Sequence, residues 1–118
     1  MEQDKILVLL NKHLQDTNSD KEYHIRPKFK FNLGDRVCSV SIQASEFAYS
    51  FPRLGNMYRY NEVELGFPNF DFTDNFISNY AEDIETPKDT VYPYVPLEEL
   101  AKQLCVLGFM RGDSNEWI

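Results

Sequence analysis

The sequence predicts an α+β fold: an antiparallel sheet of three to five strands, connected as a meander, covered by two or three amphipathic helices. Three observations predict it. Apolar residues recur at helical spacing near both ends of the chain, they alternate with polar residues through the middle, and the alternating runs are joined by short turns bearing Gly or Pro. At 118 residues and 42% hydrophobic content the chain fits a single domain over 1–118, able to bury one core without metal or disulfide staples. No internal repeat, low-complexity run or linker divides it.

The first element is the stretch DKILVLLNKHLQD, which sets Ile6, Leu7, Leu10 and Leu14 on one side of a helix and Lys5, Asn11, Lys12 and Gln15 away from it. A polar connection, TNSDKE, follows. Over residues 23–31 the period changes to two: Tyr23, Ile25, Pro27, Phe29 and Phe31 alternate with His24, Arg26, Lys28 and Lys30. This predicts a strand with one apolar and one basic face, at a sheet edge or bulged at Pro27, which has no N–H to give to a ladder. NLGD reads as a hairpin turn in which Gly34 takes positive φ, and RVCSVSIQ returns with Cys38, Val40 and Ile42 opposed to Ser39, Ser41 and Gln43.

Phe47, Tyr49 and Phe51 have the opposite parity from Ile42, so a bulge or corner at Ala44 and Ser45 is expected if both sets face one core. PRLGN supplies the next turn. MYRYNEVELGF is a further strand, with Val63 and Leu65 opposed to Glu62 and Glu64. After Pro68, the residues Phe76, Ile77, Tyr80 and Ile84 fall at helical spacing, with Asp71, Thr73 or Asp74 placed to cap the first turn. ETPKDTVYPYV reads as a loop or extended connection. PLEELAKQLCVLGF is the clearest helix, with Pro96 at its first position, Glu98 and Glu99 complementing its dipole and Gly108 ending it. Its inward residues are Leu97, Leu100, Ala101, Leu104, Cys105 and Leu107.

The net charge of -7 is unevenly placed. Residues 1–60 carry nine Lys and Arg against seven Asp and Glu, or +2, whereas residues 61–118 carry three against twelve, or -9. An acidic half of this kind disfavours direct binding of nucleic acid and suits a protein with a basic surface. The opening apolar run is short and acid-flanked, unlike a secretory signal, and no window approaches the roughly 20 apolar residues of a membrane span, so a cytoplasmic protein without a membrane partner is expected. Cys38 and Cys105 lie far apart among apolar residues, the habit of buried free thiols.

The stretch NFDFTDNFISNYAEDIETPKD, residues 69–89, interleaves acids and amides with aromatics. Counted from Asp71, its third, fifth and twelfth positions are Thr73, Asn75 and Glu82, as in an EF-hand loop, but the sixth is Phe76 where that loop needs Gly. No metal or cofactor site is therefore expected. Catalytic signatures are also lacking: His13 and His24 sit in no Cys/His or Ser/His motif, there is no CxxC or HExxH, and the five glycines are scattered singly. The basic strand face reads as a solvated edge that discourages aggregation. The tripeptide RGD at Arg111 is attributed to chance, and Trp117 is a candidate anchor.

What stands out is acids in aromatic company. Glu62, Glu64, Asp71, Asp74, Glu82, Asp83, Glu85 and Asp89, with Tyr58, Tyr60, Tyr92 and Tyr94, form the predicted partner-binding set, since tyrosine supplies contact area at low entropic cost and carboxylates steer a basic partner. The expected function is binding without catalysis: a small acidic protein that inhibits a nucleic-acid-handling defence enzyme, as an anti-CRISPR or other phage anti-defence protein does, or a toxic nuclease, as an immunity protein does. The alternative is a self-associating structural or accessory subunit of a phage or bacterial assembly.

Overall fold

The computed structural model describes residues 2–15, 26–45, 48–51 and 60–111. Helix α1 (Gln3–Leu14) forms where the apolar stripe predicts it, with Asp4 in its first turn and Lys12 in its last, each complementing the helix dipole. It buries Ile6, Leu9, Leu10, His13 and Leu14. Strands β1 (Phe29–Leu33) and β2 (Arg36–Gln43) pair as a hairpin in which Leu33 faces Arg36. The two-residue turn between them works because Gly34 sits at φ 59°, a conformation costly for residues with a Cβ.

Strand β3 (Glu62–Gly66) pairs with β2, and β4 (Val91–Pro96) pairs with β3. Between β3 and β4 lies helix α2 (Asp74–Tyr80), capped by Thr73, whose hydroxyl accepts from the Phe76 N–H at 3.3 Å. Helix α3 (Leu97–Leu107) starts directly from β4 and stops at Gly108, at φ 97°. The chain then adds β5 (Phe109–Arg111) beside β1. The sheet order is β4-β3-β2-β1-β5, an antiparallel meander closed at one edge by the last strand.

Among the described residues the result is an α+β fold of five strands with three helices packed against them, as the periodicities predict. One face of the sheet contributes Phe29, Phe31, Cys38, Val40, Ile42, Val63, Leu65, Tyr92, Val95 and Phe109 to the core. Aromatic rings run across that core in sequence: Phe31 meets Phe109 at 5.3 Å and Phe70 at 5.2 Å, Phe70 meets Phe72 at 4.8 Å, and Phe72 meets Phe76 at 4.4 Å. Offset and edge contacts of this kind each add about 0.5–1.5 kcal/mol beyond area burial. They tie α2 to the centre of the sheet.

Several expectations are corrected. Of the strand foreseen over residues 23–31, residues 23–25 lie outside the described residues; β1 starts at Phe29 and lies between β2 and β5, so Pro27 precedes the strand and neither an edge position nor a bulge at Pro27 is found. Arg26 is buried rather than part of a basic face. Its Nε and Nη2 donate to the Leu14 carbonyl at 2.9 and 2.7 Å, and its Nη1 donates to the Ala44 carbonyl at 2.8 Å. Lys28 and Lys30 are exposed, and His24 lies outside the described residues.

Ala44 and Ser45 do form a buried corner, yet Tyr49 and Phe51 after it point to solvent, and Phe51 makes only an isolated bridge to Glu62. The connection ETPKDTVYPYV contains β4, an edge strand that tolerates Pro93 because the register shifts there. Pro96 is the N-cap of α3, not its first helical residue, and Ile84 lies exposed beyond the end of α2. Strand β5 is too short to show a period. The PRLGN turn, Phe47, Tyr58 and Trp117 lie outside the described residues.

Candidate functional site

The predicted acidic stretch divides into a helix and a built loop. Helix α2 ends because Ala81 turns extended, at φ -67° and ψ 133°, and the chain then runs along the outer edge of β4, where the Glu82 N–H donates to the Val91 carbonyl at 2.9 Å. Residues 81–90 are pinned at several further points. The Asp83 N–H donates to Thr90 Oγ1 at 3.2 Å, and Asp83 Oδ1 accepts from the Glu85 N–H at 3.0 Å, an Asx turn. The Asp89 N–H donates to the Thr86 carbonyl at 2.9 Å. From beneath, the hydroxyl of Tyr92 donates to the Pro87 carbonyl at 2.8 Å.

This architecture holds Glu82, Asp83, Glu85 and Asp89 exposed on one short loop, together with Ile84, 58% exposed. Lys88 is the loop's basic residue, and its Nζ stands 3.5 Å from Asp71 Oδ1, linking the approaches to α2 on both sides. Both partners are largely exposed, so the pair adds little stability and mainly removes Asp71 from the uncompensated charge. Asp74 occupies the first turn of α2, where a carboxylate complements the helix dipole.

The remaining predicted residues scatter. Glu62 and Glu64 are half-buried on β3, and Glu64 Oε2 accepts from the Tyr49 N–H at 3.0 Å. Tyr94 is exposed and meets Tyr49 with ring centroids 5.9 Å apart. Tyr60 and Tyr92 are core residues rather than contact residues: the Arg26 guanidinium lies 5.9 Å from the Tyr60 ring centroid, and Tyr92 is fully buried against Phe72 and Phe76. Alternation could not reveal this, because in β4 the bulge changes which tyrosine points inward.

Burial pushes the Tyr92 phenol up to about 12, with the Asp71 carboxylate adding to the shift. Tyr80, at the end of α2, is also raised, first by burial and then by Glu99 and Glu62. Burial raises the Cys38 thiol against the opposing Arg36 charge, so its nucleophilic form is disfavoured. Neither Cys38, which is buried, nor Cys105, which is partly buried, is in a disulfide.

Two hollows among the described residues lie apart from the residues of this loop. A cleft of about 370 Å³ is lined by Leu7, Tyr60, Glu62, Leu97 and Glu98, and a groove of about 150 Å³ between α2 and α3 is lined by Tyr80, Glu99, Lys102 and Gln103. Among the described residues no group of three or more His, Cys, Asp or Glu could hold a metal ion, and no helix is long and apolar enough to cross a membrane. Comparison of the chain with known protein families, with curated proteins and with solved structures returns no match.

The sequence reading missed how residues 81–90 are held. Asp83, Thr86 and Pro87 are turn formers and gave a local signal. The Tyr92 hydroxyl beneath them gave none.

Proposed function

We propose that the protein is a small acidic, non-catalytic inhibitor that acts in the cytoplasm by occupying a basic surface of a partner protein. The partner class is an enzyme that handles nucleic acid: a defence nuclease, as for an anti-CRISPR or other phage anti-defence protein, or a toxic nuclease, as for an immunity protein. The observation that carries this reading is the loop 81–90, which displays four exposed carboxylates on a backbone already fixed by hydrogen bonds. A fixed loop loses little conformational entropy on binding, and its field accelerates encounter with a basic surface. Carboxylates of such a loop can take the positions that phosphates occupy on a nuclease.

Self-association through an open strand edge has less support. Strand β4 carries Pro93 and a register shift, and Glu82 takes up its Val91 carbonyl, while β5 has only three residues. Each of these features blunts a sheet edge.

The reading is tested by capturing partners from host lysate on the tagged protein and on its Glu82→Lys, Glu85→Lys, Asp89→Lys variant, at low and raised salt. Asp83 is left intact because its carboxylate builds the loop. A basic nucleic-acid-acting protein that binds the parent, is inhibited by it, leaves with salt and ignores the variant supports the proposal. Equal capture and inhibition by the variant would sink it.

A further inference from the structure

Strand β4 opposes β3 unevenly. Val63 pairs with Val95 and Leu65 pairs with Tyr92, so Pro93 and Tyr94 together face Glu64. At this bulge Tyr94 adopts φ 53°, a conformation disfavoured for residues with a Cβ and commonly given to glycine at bulges. Its ring does not enter the core: Tyr94 is 42% exposed, and its neighbour Tyr49 is 43% exposed. A large aromatic thus stands at a backbone position suited to glycine, without burial to explain it.

The surroundings are organised around that ring. The Tyr94 N–H donates to the Tyr49 carbonyl at 3.0 Å, and the Tyr49 N–H donates to Glu64 Oε2 at 3.0 Å. The two rings are tilted by 38°, leaving aromatic surface beside a carboxylate held by a backbone donor. Bulges recur where a side chain has to be re-aimed, and strained residues persist where the surroundings over-determine them.

We infer that Tyr49, Tyr94 and Glu64 form a seat for an arginine side chain of the basic partner. The inference rests on the inhibitory reading above and adds a second, specific contact to the steering loop. A guanidinium suits the seat better than an ammonium: its plane stacks on an aromatic face within about 6 Å while its N–H groups reach a carboxylate. Charge complementarity favours the same occupant, since Glu62 lies two residues along β3 and the chain carries -7 overall.

The test is an NMR titration of the whole protein with acetyl-Gly-Arg-Gly-amide and with its lysine counterpart. The arginine peptide is expected to give saturable shifts at the Tyr49, Glu64 and Tyr94 amides, several-fold larger than the lysine peptide gives. Tyr94→Gly, which relieves the positive φ, and Glu64→Gln, which keeps an acceptor for the Tyr49 N–H, should both abolish these shifts. Each variant should melt close to the parent, whereas a purely structural Tyr94 would make Tyr94→Gly melt well below it. The Glu82→Lys, Glu85→Lys, Asp89→Lys variant should keep the shifts. Shifts that do not saturate, or that centre on loop 81–90 and vanish with that variant, overturn the seat. If partner capture still depends on the loop in that case, the inhibitory reading stands and only this inference fails.

Discussion

The Tyr92 hydroxyl reaches the Pro87 carbonyl at 2.8 Å, so a ring with 0% exposure fixes the middle of the acidic loop 81–90. This bond, with those to Thr90 and Val91, couples core packing to charge display. Tyr92→Phe keeps the ring contacts and removes the bond, which typically contributes about 1 kcal/mol. Loop amides such as Glu85 and Asp89 are expected to exchange faster with solvent in that variant, while the β2 and β3 amides keep their protection after correction for the small global loss. Unchanged loop exchange would show that the Asx turn and Thr90 suffice.

Stability should fall at high pH. Tyr92 titrates near 12 in the folded protein, against an ordinary value of about 10 when unfolded. Below about pH 10 both states hold the proton and the contribution is complete. Between about 10 and 12 the unfolded state releases it first, so unfolding becomes easier by up to about 1.4 kcal/mol per pH unit. Tyr80 is shifted in the same direction and adds to the loss. Urea unfolding across this range checks it, with Tyr92→Phe expected to show a shallower decline.

Arg26→Ala should be among the most destabilising single changes. It strips the donors from the Leu14 and Ala44 carbonyls and removes the cation over Tyr60. Charge-assisted hydrogen bonds contribute about 1.5–3 kcal/mol each, but partial rehydration of the carbonyls limits the net loss to roughly 2–4 kcal/mol. Arg26→Lys keeps charge without the planar fork and should fall between the two. Chemical denaturation measures both, and a loss below that of an ordinary surface substitution would contradict the buried assignment.

Gly108→Ala tests backbone conformation without a clash. An added Cβ meets nothing within 4 Å, but φ 97° is poorly accessible to alanine. A loss of about 1–2 kcal/mol is expected, from conformational strain alone. A neutral result would mean that the end of α3 relaxes.

Reversing Glu82, Glu85 and Asp89 should act on encounter more than on residence. Once the partner is isolated, the variant is expected to associate at least tenfold more slowly at low salt, with a flatter salt dependence. Stopped-flow or surface binding kinetics provide the measurement. An unaltered association rate would remove loop 81–90 as the steering surface.

The residues show where local reading reaches its limit. The stripe of α3 was legible because Leu97, Leu100, Ala101 and Leu104 repeat at a period that only a helix brings to one face. The alternation of Cys38, Val40 and Ile42 was legible for the corresponding reason in a strand. Strand β4 was obscured by Pro93 and by a bulge that breaks the two-residue period, so Tyr92 turned inward against expectation while Tyr94 stayed exposed as expected. In the predicted binding set, the acids of residues 82–89 kept their exposure, whereas two of the tyrosines belong to the core.

By itself the sequence determined the α+β class, the hairpin turn at Gly34, the end of α3 at Gly108 and the concentration of negative charge in the second half. These follow from short-range periodicity, backbone preference and composition, which neighbouring residues settle among themselves. Only the tertiary structure decided that Arg26 closes the end of α1, that β5 completes the sheet beside β1, and that Tyr92 supports the acidic loop from within the core. Each joins positions through packing as well as chain order. A side chain's burial and partners depend on what the rest of the chain brings against it, which no local pattern encodes.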